Sequence, residues 1–312
     1  MQLELKDIHK SFGDKHVLRG MSFTVNTGRA FGLLGRNGSG KTTTARIILD
    51  VFRPDQGEVL LDGKRLESDQ SRFGYLPEEK GLYPKLPIVD QLIYFGQLRG
   101  MTKRAATEAA NHWLEVVELS HEKTRKLETL SKGNQQKVQL ICALLTDPDI
   151  LILDEPFSGL DPVNARLLKT IVTEEVAKGK LVLFSSHQMA EVETFCDDIA
   201  ILHDGTIALS GRLSQIKRSY PQDKVELRIL QDGRLVPQPE MLRIVSDLAP
   251  ERALAEAVGD DLVSLKFQGE SERRPFLTTL LNAGYDVDLY EVTVPSLAEI
   301  FVETTTKGAS HG

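Results

Sequence analysis

Gly35-Arg36-Asn37-Gly38-Ser39-Gly40-Lys41-Thr42 follows the apolar stretch Ala30–Leu34 and precedes a helical pattern. The eight residues satisfy G-x-x-x-x-G-K-[ST], a loop whose successive backbone N–H groups wrap phosphates at a helix N-terminus. Its glycines permit the tight turn, Lys41 can reach the terminal phosphates, and the Thr42 hydroxyl can hold Mg²⁺. Strand, loop and helix in that order predict an α/β fold with a nucleoside triphosphate as its ligand.

Two further runs, Ile150-Leu151-Ile152-Leu153 and Leu181-Val182-Leu183-Phe184, are apolar without alternation, as expected of parallel strands buried on both faces. The helix between them opens at Asp161-Pro162 and closes near Gly179. A doubly wound sheet is therefore expected, and ligands of such sheets lie outside the carboxyl ends of the strands. The first strand ends at the phosphate loop, the second at Asp154-Glu155 and the third at Ser185-Ser186-His187. Three strands thus point at one site. Asp154 is placed to hold Mg²⁺ directly or through water, and Glu155 to orient or deprotonate an attacking water. The His187 imidazole could hydrogen-bond the γ-phosphate or that water.

Outward from this centre, residues 3–9 and 17–25 read as strands joined at Phe12-Gly13-Asp14, and Asp62-Gly63 after residues 58–61 predicts a hairpin. An antiparallel sheet is expected beside the phosphate loop. The helix after Lys41 must stop before Pro54, which disfavours helical geometry at Arg53. Residues 88–119 and 134–146 read as helical. Beyond Gly211, the polar run around Tyr220-Pro221 reads as a linker. After it, β-forming residues at 225–230, 262–267 and 285–292 and helical patterns at about 238–257, 271–283 and 296–306 predict a small α+β domain. The expected boundaries are 1–218, with a helical subdomain at about 82–147, and 222–312. The second domain carries no phosphate loop, Cys/His cluster or basic patch, so dimerisation, regulation or partner docking is its expected role.

The 312 residues suffice for two cored domains. A net charge of −7 with no run of five or six like charges argues against a nucleic-acid partner, because phosphate backbones reward clustered Lys and Arg. The longest apolar runs fall far short of the roughly 20 residues that span a bilayer, and Met1-Gln2-Leu3-Glu4 does not read as a signal peptide. A cytosolic protein is expected unless a partner anchors it. Cys142 and Cys196 stand apart in apolar contexts, which favours packing over metal or redox chemistry.

Leu130-Ser131-Lys132-Gly133-Asn134-Gln135-Gln136 remains, and with it the chain resembles the ATP-binding subunit of ATP-binding cassette (ABC) transporters over residues 1 to about 218. In that family an LSGGQ-like segment opening a helix caps the ATP held by the opposite protomer's phosphate loop, so two Mg·ATP are sandwiched in a head-to-tail dimer. The resemblance extends the nucleotide-binding set through Thr43. It implies that Phe12 stacks on adenine, that Val17 packs nearby, that 150–156 is the Walker B segment, that Ser158-Gly159-Leu160-Asp161 is the D-loop and that His187 is the switch histidine. Ser131 and Gly133 keep the positions that contact phosphate by analogy, whereas Lys132 and Asn134 replace Gly and Gln. Glu78 stands where the family usually presents a Gln to Mg²⁺ and the attacking water, which makes it a candidate at the metal with Thr42 and Asp154, and a catalytic candidate with Glu155 and His187.

The run Gly74-Tyr75-Leu76-Pro77-Glu78-Glu79-Lys80-Gly81-Leu82-Tyr83-Pro84 is similar to that of bacterial ABC ATPases serving type 2 exporters, including sodium-extrusion and antibiotic-export branches. The extension ending in Val294-Pro295-Ser296-Leu297-Ala298-Glu299-Ile300-Phe301 looks like theirs as well. The resemblance implies an ATP-hydrolysing subunit, a homodimer or heterodimer, that drives a separate integral membrane permease from the inner face of the cell membrane. Leu82, Tyr83, Leu86, Ile88, Leu92, Ile93, Tyr94 and Phe95 are apolar enough to leave an exposed groove for a cytoplasmic helix of that permease. A soluble ABC ATPase in a non-transport process is the alternative; the single cassette and the lack of a coiled-coil or zinc insertion weigh against it.

Overall fold

The computed structural model describes residues 1–66, 72–79, 81–249 and 253–307. The chain divides into two compact units, one of Met1–Leu213 and Phe301–Gly312 and one of Ser214–Ile300.

In the first unit β1 (Gln2–Phe12) and β2 (Lys15–Asn26) pair antiparallel across the Gly13 turn. Next, β3 (Ala30–Leu34) feeds the phosphate loop and α1 (Lys41–Ile48). β4 (Gln56–Leu61) pairs with β1 and turns through Asp62-Gly63, both at positive φ, into β5 (Lys64–Arg65). Then come β6 (Phe73–Leu76), α2 (Ile88–Leu98), α3 (Lys103–Val116), α4 (Lys132–Leu144), β7 (Ile150–Asp154), α5 (Pro162–Ala177), β8 (Leu181–Ser186), α6 (Met189–Phe195), β9 (Asp198–His203) and β10 (Thr206–Arg212). A four-stranded antiparallel sheet, β2-β1-β4-β5, accompanies a six-stranded sheet ordered β10-β9-β3-β8-β7-β6. In the latter β9, β3, β8, β7 and β6 run parallel and β10 closes it antiparallel.

All five residues of β3, all five of β7 and all six of β8 are buried. The reason is the two-sided packing expected of such runs. Ile150, Ile152, Leu181 and Leu183 join one core with Leu3, Leu5, Met21, Ile47 and Ile48 from the antiparallel sheet and α1. On β8, Phe184 instead meets Phe157 and lies near Phe195, the latter two rings stacking at 4.1 Å. Residues 88–119 form two helices rather than one stretch, because Gly100 at φ 88° ends the turn after α2 and Thr102 caps α3 by accepting from the Ala105 N–H. Gln91, fully buried on α2, accepts from the Tyr83 N–H at 3.1 Å and so ties down the loop before it.

The second unit contains α7 (Leu213–Ser219) from its second residue on, then β11 (Lys224–Gln231), β12 (Arg234–Leu235), α8 (Gln238–Leu248), β13 (Ala253–Val258), β14 (Leu262–Phe267), α9 (Arg273–Asn282), β15 (Asp286–Thr293) and the start of α10 (Leu297–Lys307). The sheet places β11 between β14 and β15, with β13 beyond β14. That is a split β-α-β arrangement. Met241, Ile244 and Val245 of α8 and Phe276 and Leu280 of α9 share one core with Val225, Leu227, Ile229, Val263, Leu265 and Phe267. The helical pattern expected at about 238–257 needs correction: α8 stops at Leu248, and residues 253–258 form a strand on β14. Residues 250–252 lie outside the described residues, as does Lys80.

Candidate functional site

The three strands that were expected to converge do so. In the sheet register Leu34 lies opposite Ser186 and Asp154 opposite Ser185, so the phosphate loop, Asp154-Glu155 and Ser185-Ser186-His187 leave neighbouring strands at one level. Beyond the edge of β7, β6 brings Leu76 opposite Leu153, and Glu78 follows two residues later.

The loop itself needs glycine where it turns. Gly38 and Gly40 sit at φ 81° and 115°, a region that side chains rarely adopt. At Gly35 the constraint is space, since a Cβ there would lie 2.7 Å from the Leu202 carbonyl oxygen. Lys41 is buried; its Nζ donates to the Gly35 carbonyl at 2.8 Å and to that of Arg36 at 3.4 Å, and lies 3.8 Å from Glu155 Oε1. The Thr42 hydroxyl donates to Asp154 Oδ2 at 2.9 Å, and Ser185 Oγ donates to the other oxygen, Oδ1.

Glu155 is 2% exposed and sits at φ 50°, a conformation that costs a non-glycine residue about 1 to 3 kcal/mol. Its N–H donates to the Ser185 carbonyl at 2.9 Å and its carbonyl accepts from the Ser158 N–H. At the carboxylate, Oε1 faces His187 Nδ1 at 2.7 Å and Oε2 accepts from Ser186 Oγ at 3.1 Å. An ionised carboxylate only accepts, so the first contact assigns the proton to Nδ1. Glu191 approaches Ser186 Oγ at 3.5 Å; burial, and then the charge of Glu155, push its carboxyl above the usual range. Tyr75 on β6 is pushed up to about 12, chiefly by burial and next by the Asp154 charge.

A recess of about 250 Å³ opens on this cluster, lined by Lys15, Val17, Asn37, Gly38, Gly40, Lys41, Thr42, Thr43 and Glu78. A second recess of about 430 Å³ shares Lys15, Val17, Asn37 and Gly38 and adds Arg36 and Ser39, whose buried hydroxyl has no partner among the described residues. Phe12 stands at the turn of β1 and β2, 42% exposed, with Phe52 edge-on at 5.3 Å and Lys10 Nζ 5.6 Å from its ring centre.

The remaining expected residues form a separate group that does not line either recess. Ser131 caps α4 by accepting from the Asn134 N–H, while Lys132 is exposed and Asn134 partly so. A Cβ at Gly133 would come within 2.9 Å of Asn164 Nδ2 and 3.7 Å of Asp161 Oδ2, which is how closely α4 approaches the start of α5. Asp161 caps α5, accepting from the Val163 and Asn164 N–H groups, and the Asn164 N–H bond leads the causes that hold its carboxyl below its ordinary value. From the same α4, Gln139 Nε2 donates to the Glu79 carbonyl at 3.2 Å.

Sequence reasoning missed Lys15, Glu191 and Gln139. It placed Ser185-Ser186 at the end of an apolar strand, as Asp154-Glu155 ends the adjacent one, but gave neither serine a role. Cys196 is buried and Cys142 partly so, and burial raises both thiols.

A phosphate loop on a parallel sheet, with an Asp on its Thr and a Glu beside its Lys, defines a P-loop nucleoside triphosphatase. Residues 18–158 match the domain family described as ABC transporter, and residues 211–305 match the ATP-binding protein DrrA1-3-like, C-terminal domain. The chain is 39% identical over 302 residues, 96% of its length and 97% of the relative's, to the ABC transporter ATP-binding protein YhaQ of Bacillus subtilis, which is described as uncharacterized. It is 37% identical to the Nod factor export ATP-binding protein I of Burkholderia lata, covering 67% of this chain and 70% of that one. Among solved structures, an ATP-binding subunit of an ABC transporter superposes with a TM-score of 0.64 at 33% identity, over 70% of this chain and 93% of that one. The ADP conformation of MJ1267, an ATP-binding cassette of an ABC transporter, gives 0.62 at 26%, over 69% and 92%. The chain belongs to the ATP-binding subunits of ABC transporters, a family of ATP-hydrolysing cassettes that includes export proteins. No helix among the described residues is long and apolar enough to cross a membrane.

Proposed function

We propose that this chain is the ATPase of an exporter, pairing with a second ATPase subunit around two Mg·ATP and driving a separate membrane permease. The observation that carries the reading is the fixation of Glu155 between His187, Ser186 and the phosphate-loop Lys41, which itself lines the recess. A buried carboxylate held from both oxygens beside the phosphate loop is suited to take a proton from water attacking the terminal phosphate. His187 holds Glu155 and can sense that phosphate. Lys41 exchanges its carbonyl partners for phosphate oxygens, the loop N–H groups of residues 36–43 enclose them, and Phe12 with Val17 receives the base.

Thr42 Oγ1 and Asp154 Oδ2, 2.9 Å apart, present only oxygen, the donor that Mg²⁺ takes. Those two would hold the ion, Glu78 would reach it from the rim, and the ion would supply charge neutralisation on the phosphates. Ser131, Gly133 and Asp161, apart from this chain's own recess, are available to a partner's nucleotide, with Lys132 and Asn134 beside them. The export reading draws support from the Nod factor export relatives and from the match at residues 211–305. Residues 1–218 would form the nucleotide-binding part and 222–312 an accessory domain.

For the permease, the helical region offers Tyr83, Leu86, Tyr94 and Leu98, each 45–68% exposed, while Leu82, Ile88 and Leu92 are core and Ile93 and Phe95 partly so. This surface would seat the chain on the inner face of the membrane. Purification from its native membrane tests the whole reading: co-isolation of one multispanning protein and an ATP-dependent dimer are expected. Recovery of a monomer with no membrane partner in the presence of ATP would sink it.

A further inference from the structure

Glu155 has two oxygens, and the nucleotide chemistry accounts for the surroundings of one. Oε1 meets His187 and lies near Lys41, whereas Oε2 is met by Ser186 Oγ at 3.1 Å. Ser186 is 2% exposed and is the last residue of β8, so its hydroxyl is carried by a strand paired on both edges, by β3 and β7.

Counting protons settles how the hydroxyl is used. It has one to give, and two carboxylates are in range: Glu155 at 3.1 Å and Glu191 at 3.5 Å. The Gln188 N–H donates to the same oxygen at 3.1 Å, which occupies a lone pair and limits the directions left for the O–H. Glu155 offers the shorter path. Glu191 competes less as an acceptor, because it lies at the outer limit of hydrogen-bond distance, and burial, then the neighbouring Glu155 charge, push its carboxyl above the usual range.

We propose that Ser186 is a positioning residue for ATP hydrolysis: its hydroxyl fixes Oε2 of Glu155 and thereby turns the carboxylate to the orientation in which it meets the attacking water. The inference rests on the reading of Glu155 as the group that takes the water's proton. Ser186 touches neither nucleotide nor water in this scheme and acts through Glu155 alone. Without it the carboxylate keeps its His187 contact but is free to swing about it, and a displacement of about 1 Å at a reacting group can cost on the order of 100-fold in rate.

The test measures steady-state ATP hydrolysis and calorimetric ATP affinity for the full chain and for Ser186→Ala, Ser186→Thr, Glu155→Gln and the Ser186→Ala/Glu155→Gln double variant. Ser186→Ala should lower kcat by about 10- to 100-fold with KM and ATP affinity unchanged. Ser186→Thr, which keeps the hydroxyl, should restore most of the loss. In the Glu155→Gln background Ser186→Ala should add nothing, since its only route of action is already removed. Wild-type kcat in Ser186→Ala, a parallel fall in ATP affinity, failure of Thr to rescue, or a further loss in the double variant would each overturn the proposal. If Glu155→Gln alone turns over ATP at the normal rate, the reading of Glu155 falls with it; if that variant is slow and Ser186→Ala is not, only the role of Ser186 falls.

Discussion

At the scale of single residues, the site is a set of charges already satisfied within the chain. Lys41 is bonded to carbonyls, Asp154 to two hydroxyls and Glu155 to a hydroxyl and an imidazole. Removing one member therefore has a specific expected effect. Glu155→Gln should still bind ATP, because an amide can hold the water, but turnover should fall by roughly 10² to 10⁴, the usual worth of a placed base. A normal rate in a coupled assay would shift that role to Glu78. Lys41→Ala should weaken ATP binding and turnover together, since a cation facing the terminal phosphates is lost; unchanged affinity by calorimetry would contradict the assigned loop. Most of these residues were legible in the sequence because loop spacing and the polar ends of apolar strands declare them. Ser186 was legible as part of a polar strand end but not in its role, since its contact with Glu155 depends on the register between two strands, and Glu191, on the helix beyond, carried no signal.

Among the elements, close approach of backbones decides what composition leaves open. Gly74 in β6 has no room for a side chain: a Cβ would stand 2.3 Å from the Ala143 carbonyl of α4 and 2.8 Å from the Pro148 ring. Gly74→Ala should thus destabilise the fold by about 1 to 3 kcal/mol through overpacking, read as a lower midpoint in urea, and the glycine would be merely incidental if the midpoint stayed put. Residues 73–76 were assigned no element from the sequence, although β6 lies parallel to β7 and leads to Glu78 at the site. β7 and β8 were easy to read because burial on both faces leaves continuous apolar runs. β13 misled for the opposite reason: Ala253-Leu254-Ala255-Glu256-Ala257 has helix-forming composition, and pairing with β14 overrides it. β9 and β10 were passed over despite Asp204-Gly205 between them, whose positive φ values make the hairpin turn.

For the whole molecule, each unit carries its own core, and that of the second is built from residues 225–280. A fragment of residues 214–300 should accordingly melt as one cooperative transition by circular dichroism without binding ATP, and a featureless melt would show that its core is not self-sufficient. A different consequence follows from the bond between Gln139 and the Glu79 carbonyl. Helix α4 is 13 residues long, about 20 Å at 1.5 Å per residue, with Ser131 at one end and Gln139 beyond its middle. It is a rod gripped next to Glu78 whose tip, in the proposed dimer, rests on the other subunit's nucleotide. A tilt of roughly 5° about that grip would displace the tip by about 1 Å, enough to make or break a hydrogen bond. Occupancy of one pocket would then be transmitted mechanically to the other, and the two ATP molecules would be counted as a pair rather than one at a time.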